Sequence, residues 1–352
     1  MASRRVAAFL SVTAGGVLVA TAAPAHAAAP GWRNLPGPAP LVNGALNQVD
    51  AAGPRLAWSV GIEQPEANPL RFRTAIYRWD GARWSRQSSP VAFVPTDVAA
   101  SGPRRAWAAG VTGNGAVTVH WDGVRWRQVP IPAGAGTVNA LSAAPDGSAW
   151  AVAQNVRTKA VTVLRWTAGR WAKVAVPLPP RSGVASISAR ARNDVWLAGA
   201  ANDTSLLMRW DGRAWRRVAL PRPASRDVSG LAKVVAVSAT NVWAVRSPQA
   251  ASLLHWNGRA WTQRALPSGH GALSLTEDGR GGVWVLPYPN RQQRSSYFLH
   301  WNGRAWTRWH GPARDGNAQP GDIDRLPGTT SVLMAGALQE RRRKIPLTEI
   351  FR

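Results

Sequence analysis

The sequence predicts an all-β fold: a seven-bladed β-propeller of four-stranded antiparallel blades, closed by pairing the N-terminal strand with the C-terminal blade. Three observations carry this. A Trp-turn-Trp unit recurs six times at even spacing, a second Trp precedes each unit at a near-constant distance, and the incomplete halves of a seventh unit stand at the two ends of the chain. A period near 45 residues is that of one four-stranded blade.

The outer half of each blade is clearest. Trp79-Asp80-Gly81-Ala82-Arg83-Trp84 recurs as Trp121 to Trp126, Trp166 to Trp171, Trp210 to Trp215, Trp256 to Trp261 and Trp301 to Trp306. Successive first tryptophans are 42, 45, 44, 46 and 45 residues apart. Asp-Gly or Asn-Gly between alternating apolar residues signals a tight β-hairpin whose turn residues take positive φ. The third copy, with Thr167-Ala168-Gly169, is expected to use a type I turn with a glycine bulge instead.

The inner half follows from the second tryptophans, Trp58, Trp107, Trp150, Trp196, Trp243 and Trp284, each in a short apolar strand. Nine residues earlier lies a strand with an apolar centre: Val49, Val98, Leu141, Ile187, Val234 and Leu275. The seventh blade continues with Ile323 and with Val332 to Gly336, where Leu333 replaces Trp, and takes its third strand from Pro346 to Phe351. Its fourth strand is expected at the other end of the chain, where Gly31 to Pro36 reads like the outer strand that begins at Trp261. Pairing the ends removes the exposed sheet edges that an open array would leave.

The ends also bear on location. Arg4 and Arg5, an apolar stretch from Val6 to about Ala23, and Ala25-His26-Ala27 form a signal-peptide pattern. Residues 1–27 are therefore expected to be a signal peptide and 28–352 the propeller, secreted, with no membrane span once the signal is removed. The chain has no cysteine, so neither disulfides nor thiolate chemistry contributes. Its formal charge of +25 falls to +23 without Arg4 and Arg5, a field that attracts acidic polymers.

Val195-Trp196-Leu197-Ala198-Gly199 strands alternating with His-Trp-Asn-Gly-x-x-Trp hairpins resemble the secreted, Trp-rich propeller repeats of high-GC bacteria. Their blade plan is similar to that of the kelch and galactose-oxidase class. The resemblance covers residues 31 to 352 and implies a fold rather than an activity. A kelch Gly-Gly pair does not recur in each blade, and no Gly-His…Trp-Asp blade signature or sialidase Asp box is present.

Candidate functional residues are few. The repeat tryptophans are expected in the core, and His120, His255 and His300 are expected to be structural hairpin residues on separate blades. The outer-strand arginines are read as charges that discourage edge-to-edge pairing, and Arg341-Arg342-Arg343-Lys344 as a solvated loop between the last two strands. Carboxylates next to the apolar centres of the innermost strands cluster on blades seven, one and two: Asp50, Asp97, Asp322 and Asp324. Facing the central channel, they would form a polar or cation site, with Ca²⁺ as the fitting ion, or else hold backbone at the closing junction. Tyr288 and Tyr297, beside the non-repeating loop Pro287 to Ser296, and Trp309 are the candidates for exposed aromatic contacts.

No acid/base pair, nucleophile or metal motif recurs. The expected function is a monomeric, non-catalytic binding module at the cell exterior. Its expected partners are a glycan or an extracellular protein, with an anionic envelope polymer as a further candidate and nucleic acid excluded for want of a groove-entering element. The alternative is a polysaccharide-acting hydrolase or lyase using the Asp cluster.

Overall fold

The computed structural model describes residues 29–37, 43–64, 72–222, 229–248, 251–267, 269, 271–289 and 293–352. The expected signal peptide at 1–27 lies outside them, as do part of the 287–296 loop and His270. Among the described residues no helix is long and apolar enough to cross a membrane.

Residues 31–352 form seven four-stranded antiparallel sheets, each in simple up-and-down order from the innermost strand outward. The innermost strands are Asn43–Gly53, Val94–Gly102, Thr137–Ala143, Ser182–Ala191, Ser229–Ser238, Ala272–Glu277 and Asn317–Arg325. Blade one continues through Leu56–Gln64, Arg73–Trp79 and Trp84–Arg86, and blades two to six repeat the plan. Blade seven runs through Val332–Glu340 and Arg343–Phe351 and takes Trp32–Asn34 as its fourth strand. Trp32 pairs with Phe351, Arg33 with Ile350 and Asn34 with Glu349, so the ends of the chain close the ring as their sequences predict. Arg343 and Lys344 belong to the third strand rather than to a loop, and the turn before them is only Arg341-Arg342.

Buried residues fall into seven clusters, and each cluster fills one seam between neighbouring blades. The second-strand tryptophans supply most of the bulk. Trp58 of blade one is fully buried against Trp121 and Trp126 of blade two, with ring centroids 5.2 and 5.1 Å away. An indole of this kind removes roughly 150–250 Å² from water at small entropic cost.

Across from each of these tryptophans stands a cation or an imidazole on the third strand. The register pairs are Trp58 with Arg78, Trp107 with His120, Trp150 with Arg165, Trp196 with Arg209, Trp243 with His255 and Trp284 with His300. Five of the six lie within 5.2 Å: Arg165 and Arg209 are 5.2 and 5.0 Å from their rings, His120 is 5.1 Å from its ring, and His255 and His300 stack at 3.8 and 4.4 Å. The residue before each hairpin Trp is thus a cross-strand cap on the core indole.

The hairpin turns differ from expectation. In the Asp-Gly and Asn-Gly copies only the glycine has positive φ, as at Gly81 (98°), and four residues separate the paired tryptophans. The Asp or Asn side chain closes that loop, with Asp80 Oδ1 accepting the backbone N–H of both Ala82 and Arg83 at 2.9 Å. The Thr-Ala-Gly copy is the two-residue turn: Thr167 pairs with Arg170, and Ala168 and Gly169 both have positive φ, 47° and 76°.

A further repeat is invisible in composition. Every innermost strand carries a β-bulge just before its apolar centre, at Asn47, Thr96, Asn139, Ala185, Ala232, Leu273 and Gly321. Opposite the bulge in blades one, two, four and seven stands a glycine: Gly61, Gly110, Gly199 and Gly336. A Cβ at Gly110 would lie 2.1 Å from the Val94 carbonyl oxygen, so the bulged strand leaves no room for a side chain.

Candidate functional site

The bulge decides where the innermost carboxylates point. Residues flanking the apolar centre face the following blade and accept its backbone N–H groups. Asp50 accepts from Ala100 at 2.7 Å and Asp97 from Leu141 at 2.6 Å. Asp322 accepts from Val49 at 3.2 Å and Asp324 from Ala51 at 2.8 Å, across the closing junction. Ser142, Ser186 and Ser188 receive Ala189, Val234 and Ala236 in the same way, and Thr276 receives Arg325. One rule covers six of the seven seams: a polar flank on one blade holds the innermost strand of the next. Blade five, with Lys233 and Val235 at these positions, makes no such bond to blade six among the described residues.

The four aspartates do converge, but in the seams rather than as free channel ligands. Lys233 reaches across to Asp322, Nζ to Oδ1 3.9 Å. Burial raises the Asp97 carboxyl to about 7 against the opposing pull of Lys233. Burial first, then the neighbouring Asp324 charge, raises Asp50 well above the carboxylate range, and burial also raises Asp324. The charge of Asp322 holds the Lys233 ammonium above its ordinary value. Asp322 also takes the Ser274 hydroxyl at 2.5 Å and Asp324 the Thr276 hydroxyl at 2.9 Å. Among the described residues no three His, Asp or Glu side chains are grouped as a metal ion requires.

Grooves open on a different surface. The loops between second and third strands share one rim with the blade-to-blade connections, and four grooves open along that rim. The groove between blades three and four has a volume of about 710 Å³, with Lys159 and Arg181 on its walls. The one between blades four and five, about 490 Å³, carries Arg217, Arg222 and Arg246. Arg157 lines a third of about 470 Å³, and Arg73 and Arg86 a fourth of about 290 Å³, where Arg86 pairs with the buried Glu63 at 3.2 Å behind the wall. No Asp, Glu, Trp, Tyr or Phe lines any of the four. The grooves are basic and carry no ring-stacking platform.

Of the three aromatic candidates, only Tyr288 presents a large exposed surface, at 42%. Tyr297 is half-buried with its ring 5.3 Å from that of His310. Trp309 packs edge-on against Phe351 at 5.1 Å and donates its Nε1–H to Thr307, so it belongs to the closing blade's aromatic cluster. Sequence reasoning missed Arg246. Its signal was a charge at the fourth place of Trp243-Ala244-Val245-Arg246, where four other blades have Gly and the remaining two Ala153 and Pro287.

Neither a family model nor a curated protein matches the chain by sequence. Solved structures do match in fold. YCF48 bound to a D1 peptide is 13% identical over 91% of this chain and 95% of its own, with a TM-score of 0.58. Virginiamycin B lyase from Staphylococcus aureus is 11% identical over 86% and 94%, TM-score 0.59. The WD40 propeller domain of Doa1 is 10% identical over 90% and 97%, TM-score 0.57. One of these is bound to a peptide and another is a lyase, so the shared fold does not select a function.

Proposed function

We propose that residues 28–352 are a secreted, non-catalytic binding module of the cell exterior that takes an acidic glycan on the rim of second-to-third-strand loops. One observation carries this reading: four grooves lie along a single rim, each walled by Lys or Arg and none by a carboxylate. Secretion rests on Arg4-Arg5 and Ala25-His26-Ala27, and kinship with the Trp-rich repeats of high-GC bacteria on the Trp periodicity. The acidic ligand agrees with a mature charge of +23, and an anionic envelope polymer fits it.

The hydrolase or lyase alternative would use Asp50, Asp97, Asp322 or Asp324. Each of these already accepts a neighbouring blade's N–H, and a group so engaged is held by the fold. Binding of the mature chain to an array of neutral and acidic glycans, at low and at physiological salt, tests the proposal. Signal on defined acidic sugars that survives physiological salt supports a specific rim site. Signal that vanishes with salt would reduce the arginines to a non-specific field, and signal on neutral sugars alone would remove the reading.

A further inference from the structure

Arg246 stands opposite Leu231, at the register position that four other blades reserve for glycine. Its side chain is 1% exposed. The guanidinium donates to Ser205 Oγ at 3.1 Å, to Gln263 Oε1 at 2.6 Å and to the Pro221 carbonyl at 2.5 Å. All three acceptors are neutral. A guanidinium has five N–H donors, so two remain, and no described carboxylate balances its charge. Burial alone pushes its pKa down. An ion taken out of water is strongly disfavoured unless an opposite charge is supplied.

The groove supplies a place for that charge. Arg246 lines it together with Arg217 and Arg222, which are exposed and form no ion pair with described residues. Val218 and Leu220 give the groove an apolar wall, while the Thr204 hydroxyl donates to the Ala201 carbonyl at 2.8 Å and the Ser205 hydroxyl accepts from Arg246. Three guanidinium groups beside an apolar wall in about 490 Å³ match a sugar ring bearing one anionic substituent.

We propose that the groove between blades four and five is an oxyanion site, which takes the carboxylate or phosphate of an acidic sugar unit with Arg246 as the buried counter-charge. The sugar part deepens the rim reading and rests on it; the anion part does not. The mature chain is titrated calorimetrically at low salt with glucuronate, with inorganic phosphate and with glucose, and its melting is followed in parallel. Glucuronate or phosphate is expected to bind and to raise melting, and glucose to do neither. Whichever anion binds more tightly identifies the source. Arg246→Gln and Arg222→Gln are each expected to weaken that binding about tenfold or more, while Arg181→Gln in the adjacent groove leaves it unchanged. If Arg246→Gln does not fold, the exposed Arg222→Gln decides. The site is overturned if neither anion binds at high millimolar concentration, or if binding is unaffected by Arg222→Gln. Anion binding without any array signal would keep the site and remove the glycan reading. Array signal indifferent to both substitutions would do the reverse.

Discussion

Val49 donates its backbone N–H to Asp322 Oδ2 over 3.2 Å, joining residues 273 apart in the chain. The same contact recurs between Leu141 and Asp97 over a separation of only 44. Ring closure thus uses the bond that holds ordinary neighbouring blades, in addition to the strand contributed by Trp32–Asn34.

Removing one such acceptor strands a buried donor. Asp97→Ala is expected to cost about 1–3 kcal/mol by leaving the Leu141 N–H unpaired, while Asp97→Asn, which keeps an oxygen, costs less. Urea unfolding of the two variants checks this, and equal losses would contradict it. Ca²⁺ is expected to leave the melting of wild type and of Asp97→Asn/Asp322→Asn unchanged. A Ca²⁺-dependent rise confined to wild type would instead assign these carboxylates to a cation.

The raised Asp97 carboxyl makes a pH prediction with a definite sign. Its pKa is about 7 folded and about 3.9 unfolded, so the folded state binds the extra proton between those values. Its stabilising contribution is complete below about pH 4 and is lost as pH rises to 7. The stability of wild type minus that of Asp97→Asn should therefore fall across that window. The lowered imidazoles of His120 and His255 act in the opposite sense, but they are common to both proteins and cancel in the difference. A flat or rising difference curve would refute the assignment.

Ala168 sits at φ 47°, where an L side chain costs roughly 1–2 kcal/mol. Asn tolerates that conformation better. Ala168→Asn is expected to raise stability by about 0.5–1 kcal/mol, read as a higher urea midpoint at constant slope.

Gly110 and Gly113 are four residues from one another by inclusive count and differ in kind. A Cβ on Gly110 meets the Val94 oxygen at 2.1 Å, whereas one on Gly113 meets nothing within 4 Å. Gly110→Ala is expected to lose about 3 kcal/mol and Gly113→Ala to stay within about 0.5 kcal/mol. Equal melting temperatures for the two variants would show that the bulged strand can move aside.

Blade number, blade order and closure were legible in the residues alone. Trp pairs at an offset of five, a preceding Trp and a Gly-bearing turn are local signals, and six copies make their period unmistakable. The match between Gly31–Pro36 and the other outer strands was likewise a local one. The caps on the core tryptophans were also written in the chain, as Arg or His before every hairpin Trp, but only cross-strand register gives that column a meaning.

The site was less legible, for a physical reason. The extra residue just before each apolar centre reverses which side faces the next blade, and no residue type marks a bulge reliably. That is why Asp50, Asp97, Asp322 and Asp324, adjacent to the channel in sequence logic, are committed to backbone across the seams. The rim grooves depend on loops and connections from different blades meeting at one edge, and burial of Arg246 with no counter-charge among the described residues depends on three neutral acceptors from blade four, blade five and the connection between them. The sequence by itself determined the ring, because repetition is local; the tertiary structure decided which charges the ring spends on its own closure and which it leaves facing a groove.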